Sequence, residues 1–488
     1  MATLASTQVP EGEGRQPVLY SPGESAGFCS SKLGPNTLSV LSYNLLLPNS
    51  VDGWWTFKNY CPSTPMEART WPRRRALLAK KIEMESPDIM CFQEASDKSY
   101  EADFEFLTST NKWSFHIHKK GKMRMRTITF WNPALFEVVA DTSFSKDHTL
   151  ITPFKVRSTN ETFWAINCHL QAGIHAGDRR LRQLHEALET VRKKSKTLSI
   201  PPGRVIVCGD FNANSDETLA TGAYLLRGKV DGGFEEYGKA VTSKTKNCAV
   251  YPFQDAYRAA YAGKNNPPTM IAPSLIPRME TSRDATAKDT QTYKGEVRAS
   301  KNFIAACALL FGIYADAGEK AGSRMSRGAV ERWLMDINLS TERGDEMRNA
   351  FQILEAKKEG AGGGDGQGET EEYFSPEDFL SVYTKELQHG KYWGIASDFQ
   401  RIAAKYQVLP DLAELDVLPP FYVEGREPTA TEAESDLYLG KIDYLFFTTK
   451  TLKCEGVLDI SLGQNRRPIP DSTEPSDHFC IKAIFSFL

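Results

Sequence analysis

The chain has 488 residues, 41% hydrophobic and 25% charged, with a formal net charge of −3. This is the make-up of a globular protein long enough for one large domain or several smaller ones. The charge balance excludes a histone-like binder with a global positive field and leaves a local nucleic-acid cleft open. Nine cysteines without a CxxC pair favour a reducing compartment, so a cytoplasmic location is expected, with the nucleus as the alternative. Residues 1–30 hold no apolar leader, and the longest mostly apolar run, 303–315, is too short to span a bilayer; no membrane span is expected.

Residues 1–36 read as a flexible polar lead-in. The run from Thr37 alternates apolar and small residues, as a strand does, and ends on Asn44. A strand-end Asn is commonly a turn former, but its amide oxygen also suits a hard cation. Trp54, Trp55, Tyr60 and Trp71 form an aromatic-rich stretch that packs the rim of a site, with base stacking as a second use. Pro72 opens a helix from Arg73 to Glu85, and Arg73-Arg74-Arg75 reads as its solvated face. The strand from Asp88 leads straight to Gln93 and Glu94. A carboxylate ending a buried strand is costly unless paired or metal-bound, so Asn44 and Glu94 make a pair of oxygen ligands suited to Mg²⁺.

A helix is predicted over 99–110 and strands over 113–118, 126–131, 135–140 and 162–168. Lys119, Lys120, Lys122, Arg124 and Arg126 read first as a solvated hairpin and second as a lure for a phosphate backbone. His169 ends the last of these strands. A lone His is usually a core or surface residue, but this one joins the strand ends at Asn44, Glu94 and Asp210. Helical spacing of Leu181, Leu184 and Leu188 predicts a helix over 178–194 with one buried face. Arg180 and Gln183 near its start either orient the loop or help to bind phosphate.

Val205–Val207 read as a buried strand ended by Gly209. Asp210 and Asn212 then fall on one face of an extended segment, with Phe211 on the other. A carboxylate and a carboxamide at a strand mouth can position a water; an ordinary turn is the competing reading. Residues 252–257 lead into a helix and 263–295 read as loop. Helices follow over 299–315, 326–338, 343–358 and 376–388, split by a Gly-rich acidic linker, and 421–436 look irregular. Strands return over 440–448, with Asp443 inside, and over 452–458 and 479–485. Between the last two stands Ser476-Asp477-His478. An Asp-His pair at a strand start can hold an imidazole in one tautomer and aim it at a phosphoryl oxygen, and Asp443 is a second partner for that ring.

Leu-Ser-Tyr-Asn44, Phe-Gln-Glu94, Asn-Cys-His169-Leu, Gly-Asp210-Phe-Asn212, Ile-Asp443-Tyr-Leu-Phe and Ser-Asp477-His478 stand in the order seen in the endonuclease/exonuclease/phosphatase superfamily. Trp71 with Arg73-Arg74, and Asp178 to Gln183, most resemble the branch holding nocturnin and the catabolite-repressor-type deadenylases. The resemblance covers roughly 37–260 and 421–488. It implies an α/β fold, a four-layer sandwich of two facing mixed β-sheets flanked by helices. It also implies a Mg²⁺-dependent hydrolase of phosphodiester bonds in RNA or nucleotides, with Mn²⁺ suited to the same ligands. Glu94 would hold the metal, with Asn44 beside it and Asp477 near the metal side. Asp210 would position the attacking water, oriented by Asn212. His478, held by Asp443, would contact the scissile phosphate, and His169 would stabilise the charge that builds on its oxygens.

The domain organisation that follows is a flexible segment 1–36, a core in two parts, 37–262 and 421–488, and a mostly helical insertion, 263–420. The insertion resembles a pair of degenerate EF-hands, like the inserted calcium-binding region of plant-type members. Its first loop, 316–325, has basic residues where ligands belong and Ala329 where the closing acid belongs. The second offers a glycine run, then Glu369, Glu371, Glu372 and Asp378. Neither matches the spacing calcium needs, so Ca²⁺ is not expected there. A cap that shapes the cleft, or binds a partner protein, is the alternative. Two other functions compete: a phosphatase of a small phosphoester such as a dinucleotide phosphate or phosphoinositide, and a catalytically silent scaffold acting through the insertion. The filled catalytic-type positions argue against the scaffold.

Overall fold

The computed structural model describes residues 17–24, 36–48, 64–119, 125–139, 143–173, 175–242, 247–250, 252–262, 266–273, 299–316, 324–339, 341, 344–361, 373–388, 392–418, 437–461 and 467–488. Trp54, Trp55, Tyr60, Lys120, Lys122, Arg124, the loop 317–323, the acidic linker with Glu369, Glu371 and Glu372, and 421–436 lie outside the described residues.

The strands in the first half of the chain are β1 (Val18–Tyr20), β2 (Thr37–Asn44), β3 (Ile89–Ser96), β4 (Ser114–Ile117), β5 (Met125–Trp131), β6 (Phe136–Val138), β7 (Phe144–Lys146), β8 (Thr149–Val156), β9 (Thr162–His169) and β10 (Val205–Asp210). The second half adds β11 (Glu235–Glu236), β12 (Lys239–Ala240), β13 (Phe253–Asp255), β14 (Met270–Pro273), β15 (Met325–Ser326), β16 (Tyr373–Phe374), β17 (Leu437–Gly440), β18 (Asp443–Thr448), β19 (Leu452–Leu458) and β20 (Ile481–Phe487). Two mixed sheets form, in the orders β1-β19-β20-β2-β3-β5-β4 and β13-β18-β10-β9-β8-β6, with β7 also on β8.

Side-chain alternation joins the layers. Ile206 and Cys208 on β10 turn toward the other sheet, where Phe154, Phe163 and Phe447 share one core with Leu38, Val40, Phe92, Phe130 and Ile484. Val205 and Val207 turn the opposite way and pack with Trp164, Ile166 and Phe446 against Leu181, Leu184 and Leu188. Those leucines are the stripe expected on the helix, which runs Gly177–Leu198. Each is fully buried, which favours the folded state by about 1.5–3 kcal/mol per side chain before entropy is counted.

Several elements depart from the sequence expectation. The strand β8 stands between 140 and 162, where the sequence reading assigns no element. Pro153 sits inside it, a residue that normally argues against a strand. Here Val138 pairs Phe154 and Phe144 pairs Ile151, so Pro153 falls in the gap between two partner strands where no ladder bond is required of it. Gly209 does not end β10, which runs through to Asp210. A Cβ at Gly209 would lie 2.0 Å from the carbonyl oxygen of Cys168, and its φ is +136°, so glycine is what lets the strand pass β9 so closely. The expected helix over 99–110 divides into Tyr100–Asp103 and Glu105–Thr108 at Phe104, whose ring packs among Trp71, Phe92 and Phe130. The last strand begins at Ile481 instead of 479.

Helices Lys301–Tyr314, Arg327–Asn338, Asp345–Ala361 and Pro376–Gln388 stand where periodicity places them, and Tyr392–Tyr406 and Leu409–Glu414 were not anticipated. They enclose a core of their own around Phe303, Leu310, Trp333, Phe379, Tyr383 and Phe399. Short strands β15 and β16 pair Met325 with Phe374. The Lys357 ammonium bonds Asp378 and the Tyr373 carbonyl, and Asp316 accepts from the Ser326 N–H at 2.6 Å. Residues 269–273, on the other hand, bond to the sheet-bearing part: β14 pairs β17, and the Phe479 N–H donates to the Thr269 carbonyl at 2.7 Å. Among the described residues no helix is long and apolar enough to cross a membrane.

Candidate active site

The strand pairing brings the chemistry-bearing residues to one end of the two sheets. Asp210 lies in register with His169 on the parallel neighbour β9 and with Asp443 on the antiparallel neighbour β18. In the facing sheet, Asn44 ends β2 beside Gln93 of β3. Glu94 follows at a register shift in β3, with φ +65°. Such a bulge turns a side chain out of the alternation, here across to the other sheet.

The Asn44 Nδ2 donates to Asp210 Oδ2 at 2.9 Å and to Glu94 Oε1 at 3.2 Å. Its Oδ1 accepts from the Leu46 N–H at 3.0 Å. Asn44 thus joins the two acids through its N–H groups, whereas the sequence reading had it offering oxygen to a cation. Leu47 N–H donates to the second Glu94 oxygen at 2.9 Å. His169 Nε2 stands 3.7 Å from Asp210 and 3.8 Å from Glu94. His478 Nε2 is 3.9 Å from both Asp210 and Asp477, while its Nδ1 is 2.8 Å from Asp443 Oδ2.

Burial opposes charge on His478, yet Asp443, Asp477 and Asp210 together hold the imidazole well above its ordinary value. Burial pushes the Asp210 carboxyl up, His478 and His169 pull it down, and Asp443 adds to the rise. Asp477 is pushed up to about 6 by burial, with the charge of Glu94 adding to the rise against the pull of His478. The ligand-type atoms of Asp210, Asp443 and His478 all lie within 4.8 Å of one another. A charged imidazolium has no lone pair for a metal, which leaves the carboxylates as the groups here that could hold a cation.

Asn212 does not share an extended face with Asp210. Its φ is +50°, its N–H caps Asp210 Oδ1 at 2.7 Å, and its Nδ2 donates to the Leu170 carbonyl at 3.0 Å. The turn and the functional readings are therefore one structure: the turn holds the carboxylate. Arg180 is fully buried, pairs with buried Glu236, and donates to the carbonyls of Gln171 and Gly173. Gln183 accepts from the Gln171 N–H and donates to Asp147. Both side chains hydrogen-bond to the loop after β9.

Arg74 was misread as a solvated residue. It is fully buried and donates to the carbonyls of Leu45, Leu46 and Pro475, tying the segment after Asn44 to the one before Asp477. Its spacing with Trp71, Leu78 and Ile82 on one helical face was the available signal. Thr269 was also missed, and Ser476, though part of the Ser476-Asp477-His478 motif, was given no role. Ser476 Oγ donates to the Asn44 carbonyl at 2.6 Å, and Thr269 Oγ1 accepts from the N–H groups of Ile442 and Asp443 at 3.1 Å each. Small hydroxyls have no pattern that marks such long-range bonds.

Two facing mixed sheets, with acids and imidazoles gathered at one end, define an α/β sandwich. The model of the Endonuclease/Exonuclease/phosphatase family matches residues 41–478, and the chain belongs to that family. It is 25% identical over 208 residues to Nocturnin of Xenopus laevis, covering 39% of this chain and 51% of that protein. With the CCR4-Not complex 3'-5'-exoribonuclease subunit Ccr4 of Kluyveromyces lactis it shares 24% identity over 239 residues, covering 40% of this chain and 29% of that one. The human Nocturnin catalytic domain superposes with a TM-score of 0.42 at 13% identity, covering 93% of this chain and 95% of the other. The matched stretch thus spans about a third to a half of the curated relatives.

Proposed function

We propose that the chain is a divalent-metal-dependent phosphoesterase that hydrolyses phosphodiester bonds of RNA or nucleotides, with Mg²⁺ as its metal. The carrying observation is the convergence of Glu94, Asp210, Asp443 and Asp477 on two imidazoles at one sheet end. Family membership and the likeness to a named exoribonuclease support the substrate class.

The residues present fit a cation. Asp477 is held above its ordinary value by burial with the Glu94 charge beside it, and a divalent ion would remove that penalty. Glu94 and Asp477 would hold it, with Asn44 fixing Glu94. Bound there, it would act as a Lewis acid on phosphoryl oxygens. Asp210, its carboxylate fixed by the Asn212 N–H, accepts a hydrogen bond from the attacking water and so orients it. His478 carries its proton on Nδ1 toward Asp443 and points Nε2–H at the scissile phosphate. His169 Nε2 faces the same space and meets the charge that develops on the phosphoryl oxygens. The separate core of 299–418 supports reading that region as an insertion into the phosphoesterase unit.

The test is phosphate or nucleotide release with Mg²⁺ and with chelator from poly(A), mixed RNA, a dinucleotide phosphate and a soluble phosphoinositide. Metal-dependent release from RNA or the dinucleotide, absent in Asp210→Ala, is expected. Release from the phosphoinositide alone would replace the substrate class. No release from any substrate, or equal release by the variant, would remove the proposal.

A further inference from the structure

His148 lies outside the six motifs and outside the roles assigned above. It stands at the tip of the β7–β8 hairpin, one register step beyond the Thr149–Cys168 pair, and so directly across from His169. The His169 N–H donates to the His148 carbonyl at 3.0 Å. Directly opposed residues put their side chains on the same sheet face, and the two rings meet edge to face at 6.4 Å. The His148 ring therefore stands beside His169, at the sheet end that carries the candidate active site.

His148 has φ +58°, a left-handed conformation that suits a hairpin tip and that histidine adopts more readily than most side chains.

The hydrogen bonds define what the ring offers. Its Nδ1 lies 2.8 Å from the His169 carbonyl oxygen, which can only accept, so Nδ1 carries the hydrogen. In the neutral ring Nε2 is then a lone pair, and burial keeps the imidazole below its ordinary value and hence neutral. Nε2 is 3.7 Å from Asp147 Oδ1, and the two side chains are 22% and 42% exposed. Asp147 is held in turn by Gln183 Nε2 at 3.1 Å and Arg179 Nε at 3.5 Å. The result is a pair of acceptors fixed beside His169 and open to solvent. Both acceptors welcome hydroxyl donors. A nucleotide whose phosphate lay against His169 would bring the hydroxyls of its adjoining sugar as such donors. The 2'-hydroxyl is the group that separates ribose from deoxyribose.

We propose that His148 and Asp147 receive the ribose hydroxyls of the bound nucleotide and give the site a preference for ribose over deoxyribose. This rests on the phosphoesterase reading and adds to it the residues that select the sugar.

The experiment uses the full chain with Mg²⁺ and RNA and DNA oligomers of one sequence, and reads the ratio of their kcat/KM values. Bis(p-nitrophenyl) phosphate, a diester without a sugar, reports whether the wild-type protein hydrolyses phosphodiesters at all. The wild-type ratio should favour RNA by about tenfold or more. His148→Gly suits the left-handed backbone and so keeps the hairpin; it should bring the ratio to within about threefold of unity, through loss on RNA. Asp147→Asn should shift the ratio the same way. A purely structural role would slow both oligomers equally and leave the ratio standing, which would overturn the inference. A wild-type ratio near unity alongside hydrolysis of the sugar-free diester would overturn it too, while sparing the phosphoesterase reading. No hydrolysis of any substrate would remove both.

Discussion

Nδ1 of His478 lies 2.8 Å from Oδ2 of Asp443, a residue 35 positions earlier, and both side chains are buried. The pair fixes the tautomer and the charge of the ring. Asp443→Asn should let the imidazole lose its proton at a lower pH, because its strongest stabilising charge is gone. A raised histidine holds its proton below the folded-state value and loses it as pH rises. The variant's rate should therefore fail first on the alkaline side, with kcat lowered about 10²- to 10³-fold at neutral pH. A pH profile and the ring resonances of His478 check this.

Asp210→Ala should lower kcat by about 10³-fold or more, because the carboxylate in register with His169 and Asp443 is removed. The far-ultraviolet circular dichroism should match wild type. Retained turnover would remove Asp210 from the mechanism.

Glu94→Gln should raise the Mg²⁺ concentration needed for half-maximal activity, with the greatest loss at low Mg²⁺. Titrating Mg²⁺ at fixed substrate measures it; an unchanged metal dependence would place the ion elsewhere.

Protons should compete with the metal at Asp477. Its carboxyl is pushed up to about 6, so the neutral form dominates below that pH and the ligand form above it. Mg²⁺ affinity should fall as pH drops through about 6, and the apparent pKa should move down as Mg²⁺ is raised. Calorimetric Mg²⁺ titrations at a series of pH values, with proton release counted, test the sign.

Arg74→Met should destabilise the fold by about 3–5 kcal/mol, since it leaves the carbonyls of Leu45, Leu46 and Pro475 without their buried donor. Lys at this position should not restore it, because one ammonium cannot reproduce the planar fork that reaches both segments. Urea unfolding gives the number, and a rise in KM with the loss would show both segments loosening together.

Much of the candidate site was legible in the chain. Asn44, Glu94, His169 and Asp210 each stand at or near the end of an apolar run; each has an ordinary reading alone, and it is their recurrence at four strand ends that points to a site. The helix over Leu181, Leu184 and Leu188 was equally plain from its period. Arg74 was not, because three arginines in a row look solvated until the helix is seen packed on its neighbours. β8 escaped because Pro153 breaks the local pattern, and only its place between β6 and β7 makes it harmless. Asn212 was placed on the wrong geometry because an extended chain and a left-handed turn share the same spacing of residues.

By itself the sequence determined the family, the polar residues at the strand ends and the alternation that separates the sheet-facing core from the helix-facing one. These are local properties, set by periodicity and residue type. Tertiary structure alone decided which groups meet. The bulge at Glu94, the close passage of Gly209 over Cys168 and the register that sets His148 against His169 depend on strands distant in the chain. Pairing register is a property of two segments at once, and no single segment carries it.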